Sequence, residues 1–167
     1  MDKKIAEVAL VMMQKNRGDT RRIEHTLKVH GYARLLGIAQ SLDMQTMEIL
    51  ELTAFLHDIG IQESERKYGH STSLLQETEG PPVAREILTA LYFAADIIDR
   101  VCFIISKHHT FTAIDGIDFQ LLVEADFLVN SCEDQMNEQQ IIHFSNNVFR
   151  SESGLMYLKL LFPSIDF

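Results

Sequence analysis

Several absences narrow the reading of this 167-residue chain before any motif is considered. Cysteine is scarce. Cys102 and Cys132 are the only two, they sit in apolar or helical sequence without CxxC spacing, and neither a disulfide framework nor a cysteine zinc site is expected. No apolar run approaches the roughly 18 residues that a membrane span needs, and no basic segment followed by an apolar one opens the chain, so a cytoplasmic protein with no membrane partner is expected. Basic residues are few as well. With 15 Lys and Arg against 24 Asp and Glu, the formal net charge of -9 argues against long nucleic acid as a partner, because that grip relies on clustered cations displacing counterions from phosphates. The same charge repels small anions at long range, so any phosphate-handling site must supply local positive charge from a metal or from selected basic side chains. Also missing are period-2 alternation, an internal repeat, a low-complexity linker, a Gly-rich phosphate loop, a GxSxG elbow and an HExxH pair.

What is present is helical periodicity from end to end, and the expected architecture is an all-α bundle forming one domain over residues 1–167. A chain of this length buries roughly two thirds of its unfolded surface without help from disulfides. Helices are expected over about 3–15, 20–39 (capped by Asp19) and 44–57 (capped by Asp43 and closed near Gly60). The stretch 61–82 breaks the pattern with charged residues, Tyr68-Gly69-His70 and Gly80-Pro81-Pro82. It reads as a loop containing at most a short helix, and long loops in small domains tend to be functional. Helices resume over about 83–92 and 97–107, with Asp96 as a cap, and a turn follows over 110–116. Asp118 is expected to cap a helix through Asn130, and two more helices over about 138–149 and 154–161 close the chain.

Histidine placement carries the chemistry. Of seven histidines, His57 lies in Ala54-Phe55-Leu56-His57-Asp58-Ile59-Gly60, and the doublet His108-His109 ends the apolar run Val101 to Lys107. Imidazole beside carboxylate at the end of a buried segment is costly to desolvate unless each group has a partner, and a divalent metal satisfies both. Asp126, in the apolar segment Leu122 to Leu128, raises the same question. His57 and Asp58 point about 100° apart on a regular helix, so both reach one ion only where the helix ends and the backbone turns. His25, His57, Asp58 and Asp126 together would suit a first-row metal with open positions for water and substrate. His30 and His143 have no neighbours that suggest ligation and read as structural or surface residues.

These residues resemble the pattern of the HD superfamily of metal-dependent phosphohydrolases: Arg22-Ile23-Glu24-His25-Thr26 its first histidine, Leu56-His57-Asp58-Ile59-Gly60 its doublet, and Val123-Glu124-Ala125-Asp126 its closing aspartate. The resemblance covers roughly residues 20–130 and leaves the helices beyond Ser131 unassigned, as a dimer surface for a homodimer or as a lid. It implies metal ligation by His25, His57, Asp58 and Asp126. Some members bind a second ion through later histidines, and His108 and His109 match that late pair. A further histidine expected ahead of the next helix is missing near Glu79-Gly80. Glu79 replaces it as a carboxylate ligand, or His70 reaches in from the loop, or the second site is incomplete; two metals are favoured over one.

The implied cofactor is one or two divalent transition metals (Fe, Mn, Co or Ni, with Mg and Zn as further candidates). The implied reaction is hydrolysis of a small phosphate ester or anhydride, a nucleotide foremost, by a water that the metal activates. Asp58 would bridge or orient, while Arg22, Lys107 and Lys67 are candidates for holding non-reacting phosphate oxygens, Arg22 the strongest because it lies three residues before a ligand on the same helix. Two other classes compete: an HD-type di-iron oxygenase, and a non-catalytic module that binds a nucleotide as a sensor.

Overall fold

The computed structural model describes residues 3–167, and among them nine α-helices and no strand occur. In order these are α1 (Lys3–Lys15), α2 (Thr20–Ala39), α3 (Met44–Leu56), α4 (Ile61–Tyr68), α5 (Ser73–Ala90), α6 (Ala95–Ile105), α7 (Ile117–Glu133), α8 (Glu138–Val148) and α9 (Glu152–Leu161), with a 3-10 turn at Phe111–Ala113. The all-α architecture read from periodicity is the observed one. Asp19 accepts from the Arg22 N–H to cap α2, and Asp43 accepts from the Gln45 and Thr46 N–H groups to cap α3. Both satisfy donors that a first helical turn leaves open.

Two helices carry the core. Every residue from Ile49 to Leu56 of α3 is buried, as is every residue from Asp118 to Ala125 of α7. A helix that is apolar on all sides belongs inside a protein, and α3 accordingly touches α1, α2, α6 and α7. Fully buried leucines such as Leu50, Leu52, Leu56, Leu121, Leu122 and Leu128 join one continuous apolar cluster, each contributing about 1.5–3 kcal/mol of transfer free energy. Because α2 packs along both α3 and α7, the start of α2, the end of α3 and the middle of α7 converge.

Buried polar groups are tied down. Glu51 of α3 accepts from His30 and Arg34 of α2, and His30 stacks on Phe55 with ring centroids 4.0 Å apart, which gives His30 the structural role expected of it. Glu124 of α7, fully buried, accepts from Gln120, from the Arg150 and Ser151 N–H groups and from the Ser151 hydroxyl. It thereby fastens the α8–α9 connection to the core.

The segment over 61–82 departs from expectation, since it holds α4 and the first ten residues of α5 rather than a loop. Gly69, at φ 77, ends α4 in the left-handed conformation that glycine adopts without strain, and the Thr72 hydroxyl caps α5 by accepting from the Leu75 N–H. Pro81 and Pro82 lie inside α5, where each removes a backbone donor. Packing overrides that local preference. α5 lies along α6 and against α4, and Gly80 passes so close to Gly60 that a Cβ on Gly60 would sit 2.5 Å from the Gly80 nitrogen.

Smaller differences lie at helix ends. α7 begins at Ile117 and runs to Glu133, so Asp118 sits in its first turn, where it pairs with Arg100 at 2.7 Å instead of capping. Asp96 likewise falls in the first turn of α6. Cys102 is buried, Cys132 exposed, and both are free. No helix among the described residues is long and apolar enough to cross a membrane.

Candidate metal centre

α3 ends at Leu56, and the turn that follows swings His57 and Asp58 to the same side: His57 Nε2 lies 3.5 Å from Asp58 Oδ2. Asp126, from α7, places Oδ1 3.6 Å from His57 Nε2 and 3.3 Å from His25 Nε2, and His25 Nε2 is 3.7 Å from Asp58 Oδ2. The four residues singled out in the sequence therefore meet. Donors bound about 2.0–2.2 Å from one ion sit roughly 3.0–3.5 Å from each other, and the observed separations are at or slightly above that spacing.

The histidine tautomers are fixed from behind. His57 donates its Nδ1–H to the Ala54 carbonyl at 2.9 Å, and His108 donates its Nδ1–H to the Ile105 carbonyl at 2.7 Å. His25 Nδ1 faces Glu133 Oε2 at 3.0 Å, and Lys28 holds the other oxygen of that carboxylate at 2.8 Å. Each Nε2 is thus left to face the cluster, where a cation that displaces its proton would find a lone pair, the arrangement that metal-binding imidazoles require. The Nε2 atoms of His57 and His108 are buried with no hydrogen-bond partner. Orphaned buried nitrogens are rare and costly, and a cation between these residues would satisfy both.

Charge points the same way. Burial works against a charged His57, yet the Asp58 and Asp126 carboxylates outweigh it and push its pKa up to about 9. Burial raises the Asp58 carboxyl, but the His57 and His108 imidazoles overcome that and pull it down to about 2. Asp126 is also held well below its ordinary range by His25 and His57 in spite of burial. Two ionised carboxylates inside a protein need positive charge beside them, and imidazole with carboxylate suits a first-row divalent metal.

Asp58 also serves a second group. Its Oδ1 lies 3.9 Å from His108 Nε2, and Asp58, His108 and His109 together offer ligand atoms within one small volume, as do His25, His57 and Asp58. Glu79 does not join them. Its carboxylate is held by Lys67 at 2.5 Å and by the Tyr68 hydroxyl at 2.8 Å. Once residues 73–90 form one helix, Glu79 is carried a turn beyond the histidine pair and about 60° around the axis. Gln76 occupies the place instead, its Oε1 2.6 Å from His109 Nε2, while Glu77 accepts from the His109 N–H and the Thr110 hydroxyl. His70 is exposed in the α4–α5 turn, its Nδ1 3.1 Å from the Tyr68 carbonyl.

An open cleft of about 330 Å³ lies over His25 and Asp58, and Arg21 and Arg22 line it. Arg22 pairs there with Glu65 at 3.0 Å and Asp19 at 3.4 Å. Lys107 is exposed and lines no cleft beside the centre, because the turn that aims His108 inward sends the residue before it outward. Glu133, Gln76 and Asn130, whose amide donates to Asp126 at 2.9 Å, escaped the sequence reading. Glu133 had a signal, since it lies seven residues after Asp126 and so on the same helical face.

The HD-domain profile matches residues 22–145. The chain belongs to the HD-domain family. The match reaches past Ser131 into α8, so the HD domain takes in one of the helices that the motifs alone left unassigned. No curated protein matches significantly. Among solved structures, the fold is similar to that of a predicted HD superfamily hydrolase from an uncultured Thermotogales bacterium, with a TM-score of 0.66, 20% identity, and coverage of 97% of this chain and 85% of that one.

Proposed function

We propose that this HD domain is a metal-dependent phosphohydrolase acting on a small phosphate ester or anhydride, a nucleotide foremost. The observation that carries the reading is the pair of partnerless Nε2 atoms on His57 and His108, aimed at carboxylates that stay ionised in a buried site. His25, His57, Asp58 and Asp126 would hold the first divalent ion, and Asp58, His108 and His109 would offer donors to a second. When bound, the cation supplies Lewis acidity, which acidifies coordinated water and offsets charge that gathers on phosphate oxygens.

The remaining work falls to this chain's own residues. Glu133 and the Ala54 and Ile105 carbonyls hold the three imidazoles in the tautomer that leaves Nε2 free. Asp58, reached by histidines from both sides, orients the attacking water by accepting a hydrogen bond from it. Arg22 exchanges Glu65 for a non-reacting phosphate oxygen, a substitution of one anionic acceptor for another that the planar guanidinium accommodates well. The volume of the cleft above the donors, about 330 Å³, is of the size usual for small-ligand sites and favours a small substrate.

Protein loaded separately with Mn, Fe, Co and Mg should hydrolyse at least one member of a nucleotide and phosphodiester panel, and Asp58→Ala should abolish that turnover. Turnover that survives Asp58→Ala, or none with any metal, defeats the proposal. Because Asp58 faces two donor groups at once, a di-iron oxygenase is the second reading; oxygen uptake with a diol and no phosphate release would select it.

A further inference from the structure

A second cavity, of about 360 Å³, opens on the other side of Asp126 between α7 and α8. Its wall is aromatic. Phe127 of α7 stacks on Phe144 of α8 with centroids 3.7 Å apart, and Phe111 meets Phe144 edge-on at 5.1 Å. Phe111 keeps 40% of its surface exposed at the rim. α8 also adds polar groups to the lining, with Gln140 and His143 both exposed. The cavity also reaches His109 and Asp126, and it shares Asn130 and Asp134 with the cleft that Arg22 lines. A ligand with its phosphate over Asp58 can therefore extend past Asn130 into the aromatic cavity without leaving the surface of α7.

We infer that the α7–α8 cavity is the subsite for the nucleobase of the substrate, with Phe111 as its stacking face and Gln140 and His143 at the base's polar edge. This inference rests on the phosphohydrolase reading for the phosphate end and deepens it by naming what the leaving or retained group must be. The cavity's size lies within the range of about 300–1,000 Å³ usual for small-ligand clefts. Gln140 Oε1 already accepts from the Asn137 N–H to cap α8, which leaves its amide NH2 and the outer nitrogen of His143 as the polar groups that an alkyl ligand would not match. A planar heterocycle offers a π-face to Phe111 and donors and acceptors around its edge, which matches both the aromatic and the polar lining. None of the residues that line the α7–α8 cavity is Arg or Lys, whereas Arg21 and Arg22 line the cleft, so the anionic part of the ligand belongs over the metal centre. α8 thereby gains a role in substrate choice, and His143, which lies at the surface as expected, gains a use there.

The test separates binding from hydrolysis. Holoprotein is titrated with each of the four ribonucleosides, which carry no phosphate, and binding is followed by ligand-observed NMR and calorimetry. At least one nucleoside should bind, and Phe111→Ala should weaken it about tenfold, equal to about 1.4 kcal/mol. Phe111→Leu, which keeps the apolar contact but removes the ring, should give a loss of similar size and guards against misfolding of the smaller variant. In turnover of the corresponding nucleoside phosphate, Phe111→Ala should raise KM about tenfold while kcat changes less than twofold. Nucleoside binding that depends on Phe111 supports the subsite even if no phosphate is released, in which case the hydrolase reading alone fails. Hydrolysis with a KM indifferent to Phe111, or octyl phosphate binding more tightly than every nucleotide, overturns the subsite and leaves the hydrolase reading standing.

Discussion

His57 and His108 approach Asp58 from different helices by the same local device. Each follows the last turn of an apolar helix, and each donates Nδ1–H to the carbonyl three residues back, at 2.9 Å to Ala54 and 2.7 Å to Ile105. Carbonyls in a last helical turn lack intrahelical donors, so the bond satisfies the helix end and orients the ring together. The surroundings then diverge. His57 stands among Asp58, Asp126 and His25, and the carboxylates push it up to about 9 against the opposing effect of burial. Beside His108, His109 is pushed down to about 4 by burial and by His108 itself, and its Nε2 meets the neutral amide of Gln76. One side has two carboxylates and the other has a share in one of them. Backbone geometry prepares both positions for a cation, but charge favours the first, which should fill earlier and bind more tightly.

Asp58 is the group common to both sides, and its removal should have the largest effect. Asp58→Ala is expected to lower turnover by about 10³-fold or more, since it takes away a ligand and the water-orienting acceptor together. Elemental analysis should show both metal equivalents reduced, and circular dichroism should show helicity kept. Next in size is a contrast between His57→Ala and His108→Ala. The first should release essentially all tightly held metal. The second should leave one equivalent bound, because His25, His57, Asp58 and Asp126 remain. Equal losses of metal in the two variants would break the comparison and make the centre a single cooperative unit.

Much of this was legible in the residues, unevenly and for physical reasons. His25, His57, Asp58 and Asp126 announce themselves because polar groups in apolar helical sequence need partners, and helix order alone brings α2, α3 and α7 together. Glu133 was within reach through its seven-residue spacing from Asp126. Gln76 was not. Gly80-Pro81-Pro82 is strong local grounds for a loop, and only non-local features, the Gly60–Gly80 approach and the packing of α5 on α6, keep residues 73–90 in one helix. With the helix unrecognised, the missing donor falls near Glu79-Gly80, where Glu79 is one alternative beside His70 and an incomplete site, and the real partners of Glu79 are Lys67 and Tyr68. The role of Glu124 in anchoring the α8–α9 connection depends likewise on contacts 26 and 27 residues away, to which no local pattern points.

Glu133 sharpens the first side of the comparison. Its Oε2 faces His25 Nδ1 at 3.0 Å, so it fixes the ring without touching the ion. Partners of this kind are typically worth about 10–100-fold in metal affinity. Glu133→Gln keeps an oxygen acceptor but removes the charge, and the expected loss is near tenfold, read by competition with a chelator. Unchanged affinity would mean that packing alone holds His25 in place.

The smallest expected effect is a gain, and it bears on the weaker side. Gln76→His puts an imidazole where the Gln76 amide meets His109, on a helix already fixed by the Thr72 cap and by packing on α6. His109 then loses its amide partner and faces a group that can itself donate a lone pair to a cation. Asp58 keeps Oδ1 on that side, and Glu77 still accepts from the His109 N–H, so the backbone has no reason to shift. The second equivalent of Mn should bind about three- to fivefold more tightly, a change of roughly 1 kcal/mol or less, while the first equivalent keeps its affinity. Calorimetry with sequential sites resolves the two. If both affinities rise together, the added imidazole acts through Asp58 on a shared centre, and the two sides are not independent; if only the second rises, the charge deficit beside His108 and His109 is what separates them.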